Sequence, residues 1–235
     1  MMKLVLTKKP KKVRIIEGFP GFGLIGTIAT EFLLEHLTTE KIGIVEVDDV
    51  PAMIAIHANE VIEPISIHYN KKYNLVFVHA INVGKNMGWQ AADVIRDLAK
   101  ILEATEIISI EGLGSPTADG GRVFYYTNDR AYVGKKFEGI ATPLQEGIIV
   151  GVTGALLARS LDLPLVALFA EAASNLPDSK AAAHIIGALD AYMGLDVDPK
   201  PLLKQAQMFE KKLQGIAEKT KDAEQVQDDK LGYVG

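Results

Sequence analysis

The sequence predicts an α/β protein whose sheet is mostly parallel, covered on both faces, and interrupted by β-hairpin insertions. Three observations carry that expectation. A β-branched run, Val13 to Ile16, leads through a glycine-rich turn into an apolar-periodic stretch from Leu24 to Leu37. Apolar strands alternate with helical patterns from Gly88 onward. Between these regions, residues 42–80 hold several short strands in succession with no helix among them.

The opening unit organises the rest. Val13-Arg14-Ile15-Ile16 reads as a buried strand. Leu24, Ile28, Phe32 and Leu33 recur at helical spacing, so a helix follows. Glu17-Gly18-Phe19-Pro20-Gly21-Phe22-Gly23-Leu24-Ile25-Gly26 joins the two. Strand, glycine turn and helix open a βαβ unit. Glycine suits the turn because it tolerates positive φ and lets backbone approach backbone. The helix start leaves free N–H groups that an anion or an acidic group can use.

Gly21-x-Gly23-x-x-Gly26 matches the dinucleotide-binding pattern, and Glu46 follows the last glycine by twenty positions, where a ribose-binding acid belongs. Gly18, Gly21, Gly23 and Gly26 are therefore a candidate ligand loop. Against this, Phe19, Pro20 and Phe22 make the loop bulky, and the acid sits among Glu46, Asp48 and Asp49 without a clear strand end. The other reading is a tight strand-to-helix turn packed by Phe19 and Phe22.

Ile42 to Val47 is the next strand, broken at Val50-Pro51. Met53 to His57, Glu60 to Pro64, Ile65 to Tyr69 and Tyr73 to Ala80 follow as an antiparallel excursion. A dinucleotide-binding half would place a helix here. Gly88-Trp89-Gln90 opens a helix to Glu103 with Ala92, Ile95, Leu98, Ala99 and Leu102 on one face. Glu106 to Ile110 is a buried strand, and glycines crowd the loop from Gly112 to Gly121. Val123 to Tyr126 and Ala131 to Val133 flank Thr127-Asn128-Asp129-Arg130 as a hairpin. Val152 to Leu161 is helical, Pro164 to Ala170 is the last core strand, and Asp178 or Ser179 caps a helix to Tyr192.

Asp198-Pro199 starts a different helix, with the acid at N-cap and proline at N1. Leu202, Ala206, Phe209, Leu213 and Ile216 step by four and three in a heptad seam. The seam packs either on its own domain or on another subunit. Residues 222–230 are charged and glutamine-rich without periodicity and read as a flexible tail. The domain plan is an α/β core over 1–195, a C-terminal helix over 196–221 and a tail over 222–235. Its tip, Leu231-Gly232-Tyr233-Val234-Gly235, carries apolar side chains with no core of their own. It is either a peptide ligand or a frayed terminus.

Composition narrows the function classes. At 235 residues, with 48 % apolar and 23 % charged content, the chain reads as an ordinary soluble globular protein. A net charge of −5 argues against a dedicated nucleic-acid binder, and Lys8, Lys9, Lys11 and Lys12 read as a solvated edge. With no cysteine there are no disulfides, thiolate metal sites or cysteine nucleophile. There is no signal-type apolar region and no run near the roughly 18 residues of a membrane span, so a cytoplasmic protein is expected.

Three constellations could carry chemistry. Glu17, Asp48, Glu111 and Glu171 end predicted strands, where open α/β sheets bind ligands. Converging carboxylates hold cations or move protons; singly, they accept hydrogen bonds from loops. His57, His68 and His79 lie on successive β segments without the close spacing of a metal motif. Ser115 lies in Gly-Leu-Gly-Ser-Pro, which is not a nucleophile elbow, and no Walker loop is present. No catalytic residue, metal or cofactor is assigned.

Four segments in order, Glu-Gly-Phe-Pro-Gly-Phe-Gly-Leu-Ile-Gly at 17–26, Glu-Gly-Leu-Gly-Ser-Pro-Thr at 111–117, Val-Thr-Gly-Ala-Leu-Leu at 152–157 and Pro-Asp-Ser-Lys-Ala-Ala-Ala at 177–183, resemble the proteasome assembly chaperone family, second-subunit type, and its archaeal members in particular. The resemblance implies a three-layer α/β/α sandwich of nucleoside-phosphorylase-like form and no established enzyme activity. It also implies a homo-oligomer, a tetramer or pentamer, that binds the α-ring of the core proteasome or related assemblies. Proteins docking on that ring often end in hydrophobic–Tyr–any residue. Here Tyr233 is third from the end and Gly232 stands in the hydrophobic position, so docking would need a shifted register with Leu231, Tyr233 and Val234 in contact. The expected function is thus a non-enzymatic assembly chaperone or activator with C-terminal tails. The alternative is a nucleotide- or nucleoside-handling enzyme using Gly21 to Gly26 and the strand-end carboxylates.

Overall fold

In the computed structural model, the described residues are 2–48, 55–57, 60–82, 86–115, 121–129, 131, 133–159 and 162–204. Strand β2 (Arg14–Gly18) is the fifth of nine in the main sheet. The others are β1 (Met2–Leu6), β3 (Glu40–Val47), β6 (Ile65–Asn70), β7 (Leu75–Ala80), β8 (Glu106–Gly114), β9 (Val123–Thr127), β10 (Thr142–Pro143) and β11 (Leu165–Ala172). Their order is β1-β3-β6-β7-β2-β8-β11-β9-β10. Strands β4 (Ala55–His57) and β5 (Glu60–Ile62) form a separate antiparallel pair. The helices are α1 (Ile25–His36), α2 (Gly88–Leu102), α3 (Val133–Lys136), α4 (Gly151–Ala158) and α5 (Ser179–Met193).

The sheet is mixed rather than mostly parallel. Strand β2 pairs parallel with β7 and β8, β8 with β11, and β9 with β10. The pairs β1–β3, β3–β6, β6–β7 and β9–β11 are antiparallel. The excursion at residues 60–80 accounts for part of this: without a crossover helix, successive strands must reverse. The expected hairpin at 123–133 is also replaced. β9 lies beside β11 instead, and Val133 belongs to helix α3. Strand β1, not anticipated from sequence, seats Met2, Leu4 and Leu6 against the core while Lys3 meets Glu46 outside at 3.1 Å.

Alternation along the strands makes two cores. Ile16, Phe77, Ile108 and Leu168 face helices α1 and α5. Ile15, Val76, Val78 and Ile107 face α2 and α4. This is a sheet between two helical layers, and β7 and β11 are accordingly buried throughout. The chain after α5 turns at Gly194, whose φ of +66° suits glycine. Leu195, Val197 and Leu202 then bury in the α1/α5 core, and residues 200–204 are helical. Among the sequence expectations, the heptad seam beyond Leu202 and the tip Leu231–Gly235 lie outside the described residues. Among the described residues no helix is long and apolar enough to cross a membrane. Of the basic cluster, Lys8 pairs with Glu40 and Lys11 with Glu103, exposed contacts of little energetic weight.

Helix α1 lies against the end of β2 because two glycines allow it. A Cβ on Gly26 would fall 2.7 Å from Ile110 O and 2.9 Å from Phe19 O; one on Gly18 would fall 2.2 Å from Gly26 O. These are backbone atoms, which cannot rotate away. Gly26→Ala should therefore cost about 3 kcal/mol, the penalty of overpacking a tight interior. A urea denaturation midpoint lowered at constant slope checks this.

Candidate functional site

The glycine turn at the end of β2 meets the end of β8. Residues 22–24 form one 3-10 turn, with Gly23 at φ +67° and Leu24 at φ +51° before α1 begins. The Glu111 side chain from β8 enters this turn. A Cβ on Gly21 would sit 1.9 Å from Glu111 Oε1, so the bare glycine makes room for a carboxylate. The N–H of Gly112 donates to Glu111 Oε1 at 3.0 Å, and the N–H of Phe22 also donates to the carboxylate. Gly112 is bare for a matching reason: a Cβ there would lie 1.9 Å from Phe22 O. The chain's own acid thus takes donors that a phosphate would use at such a turn.

Glu111 is one end of a buried polar chain. Thr153 of α4 donates to Glu111 Oε2 at 3.4 Å, and Ser109 Oγ lies 2.8 Å from Thr153 Oγ1. Ser109 in turn is hydrogen-bonded to Glu17 Oε1 of β2. Glu17 is fully buried, and its Oε2 has no hydrogen-bond partner. Each hydroxyl has a single proton to give. With a proton on Glu17, the chain orders in one direction: Glu17 to Ser109, Ser109 to Thr153, Thr153 to Glu111. An unpartnered oxygen is also cheaper on a neutral acid than on an anion. In agreement, burial pushes the Glu17 carboxyl up to about 8, against the bond that the Ser109 hydroxyl donates to the ionised form, with the Glu111 charge adding to the rise. Burial likewise raises Glu111 to about 7, against its N–H and Thr153 donors. The arrangement retains a proton near neutrality.

Of the four strand-end acids, then, only Glu17 and Glu111 meet. Glu171 ends β11 in a two-pronged ion pair with Arg122, at 2.8 Å and 2.7 Å, and Asp48 is exposed. Glu46 does not reach the glycine turn, because β6 and β7 lie between β3 and β2. The antiparallel excursion that separates them removes the ribose-binding role. His68 and His79 take separate partners. His79 bonds Thr30 Oγ1 of α1 at 2.8 Å, His68 bonds Ser66 Oγ at 2.9 Å, and His57 lies in the separate β4–β5 pair. Burial drives both His68 and His79 down to about 4. Among the described residues no group of three acid or histidine side chains could hold a metal. Ser115 gives its N–H to Ala172 O at 3.1 Å.

Sequence reading missed Ser109 and Thr153. The signal was available: each is a lone hydroxyl within an apolar run, Ile107-Ile108-Ser109-Ile110 and Val152-Thr153-Gly154-Ala155. Above Gly151, whose φ is +77°, opens a cavity of about 700 Å³. Pro20, Met87, Trp89, Ile149 and Val150 are among its walls. Trp89 is 52 % exposed and stacks under Arg159, 4.8 Å from the ring centre.

The class is an α/β protein with a mixed sheet between helical layers and a glycine turn closed on an internal carboxylate. The chain belongs to the PAC2 family, whose family model matches residues 15–217. It is similar to the crystal structure of Pyrococcus furiosus PbaA, an archaeal homolog of proteasome-assembly chaperone. The two are 28 % identical, with 99 % of each chain covered and a TM-score of 0.86. It shares its fold with Pyrococcus furiosus PbaB, an archaeal proteasome activator, at 24 % identity, 92 % and 98 % coverage and a TM-score of 0.77. A Methanocaldococcus jannaschii protein, MJ0106, is 24 % identical over 206 residues, 87 % of this chain and 85 % of that one.

The two acids and two histidines set opposing pH dependences. A carboxyl whose folded pKa is raised favours the folded state below its unfolded value and loses that contribution as pH climbs through the folded value. Stability therefore falls through Glu17 from about pH 4.5 to about 8, and through Glu111 from about 4.5 to about 7. His68 and His79, depressed to about 4, raise stability between about 4 and 6.5. The two trends offset each other below pH 6.5, and only the decline remains above it. One fully retained proton gives a slope of about 1.4 kcal/mol per pH unit. Denaturant titrations from pH 5 to 9 should show a fall above pH 6.5 that Glu17→Gln makes shallower.

Proposed function

We propose that this protein is a non-enzymatic proteasome-assembly chaperone or activator, cytoplasmic and homo-oligomeric, that docks on the proteasome α-ring through C-terminal tails. The observation that carries this reading is the likeness to PbaA, which covers 99 % of both chains. A second observation agrees. A nucleotide- or nucleoside-handling enzyme would need the turn at Gly21 to Gly26 for its phosphate, and Glu111 already sits against it.

The proposed contacts are Leu231, Gly232, Tyr233, Val234 and Gly235. Residues 222–230 are charged and glutamine-rich, the composition of a solvated linker. One short tip ordering on binding gives little affinity. Several tips on one tetramer or pentamer raise the effective concentration of the second and later contacts, and avidity follows.

Removing Leu231 to Gly235 should abolish co-sedimentation with purified proteasome α-rings while far-ultraviolet circular dichroism stays unchanged. Undiminished binding of the truncated protein would reject the tail as the contact. A thermal shift with NAD, a nucleoside or phosphate that disappears in Gly23→Val would instead favour the enzyme.

A further inference from the structure

The two edges of the main sheet are finished differently. Strand β10 is two residues long and ends in Pro143, which has no N–H to offer. Shortness and proline both keep a sheet edge from pairing. Strand β1 carries neither device. Its five residues, Met2 to Leu6, run in unbroken register with β3 and include no proline or glycine. Among the described residues nothing pairs with its outer side.

The outward backbone groups can be named. Thr7 N donates to Ile42 O at 2.8 Å, which makes Thr7 and Ile42 a bonded pair of the β1–β3 ladder. Bonded and non-bonded pairs alternate between antiparallel strands. Lys3 and Val5 therefore give their N–H and C=O groups to Glu46 and Ile44. Those of Met2, Leu4 and Leu6 point away from the sheet. The side chains of the same three residues rest against the α2/α4 core, so the edge is backed by apolar surface. Helix α2 extends that surface. Met2, Val94 and Leu98 line one apolar gap, and Ile101, two turns beyond Val94 on the same helix face, is 37 % exposed.

We propose that β1 pairs antiparallel with β1 of a second copy of this chain, across a two-fold axis at Leu4, so that the two sheets become continuous. Self-complementarity argues for this occupant. In that register Leu4 bonds to Leu4 and Met2 to Leu6, and every outward group of the strand is used. On the α2 face Met2, Leu4 and Leu6 meet the same three residues. On the other face Lys3 falls opposite Val5, and each Lys3 keeps its own Glu46 at 3.1 Å. No like charges stand directly opposite, an arrangement that would oppose pairing. Such a contact is isologous and joins subunits in twos. The proposal gives a surface to the homo-oligomer of the reading above and rests on it to that extent; proteasome binding has no part in it.

Leu4→Pro removes the central outward N–H and none of those bonded to β3. Native mass spectrometry without proteasome should show the mass of the assembly halved, with far-ultraviolet circular dichroism kept. Leu4→Cys places two thiols at the axis on Cα atoms about 5.5 Å apart, within disulfide range. The chain has no cysteine of its own, so diamide should give one dimer band that reductant removes. Thr142→Cys on β10 should stay unlinked; a dimer formed there and not at Leu4 would move the contact to the other edge and overturn the proposal. An unchanged mass, an odd number of subunits in the unsubstituted protein, or a Leu4→Cys protein that does not join equally overturns it. Where Leu4→Pro does not fold, the cysteine result decides. A monomeric unsubstituted protein would overturn the homo-oligomeric reading as well, whereas an oligomer indifferent to Leu4→Pro overturns this contact alone.

Discussion

A carboxylate lodged in a glycine turn governs the architecture. Glu111 can occupy that place only because Gly21 has no side chain, and Phe22 can approach β8 only because Gly112 has none. The contact joins the end of β8 to the start of α1, and Thr153 brings α4 into the same knot. Burying a carboxyl group costs free energy. Two N–H donors and a hydroxyl offset part of it, and the remainder appears as an elevated proton affinity.

Two pieces of the polar interior flank the glycine turn. On the α2/α4 side run Glu17, Ser109, Thr153 and Glu111. On the α1 side His79 meets Thr30, whose hydroxyl also lies 2.9 Å from Gly26 O. Both pieces sit next to the glycine turn, one on each face of the sheet. Polar groups in such positions fix how helices register on strands, because a shift by one residue would leave them unpaired. Ordinary apolar packing tolerates more variation.

Much of the fold was legible from periodicity and turn chemistry. The first helix, the helix from Gly88, the strand at 165–172 and the Asp178 cap all follow from apolar spacing and capping residues, and the cap's side chain accepts from Ala181 N at 2.8 Å. Strand direction was less legible, because β9 takes its partner from a strand more than thirty residues away. Local turn residues after Thr127 suggested a hairpin that tertiary pairing overrode. The glycine motif was legible as close packing around Phe22; that the occupant is Glu111 was not. Two acids nearly one hundred residues apart reveal a shared site only once parallel strands set Glu17 opposite Ser109.

One side chain near this region has an optical consequence. Trp89 is the sole indole in the molecule and stands at the mouth of the cavity, stacked beneath a guanidinium. Its emission is therefore a single-origin signal. Any molecule or subunit that covers that rim will dry the ring and shift its colour, with no label added.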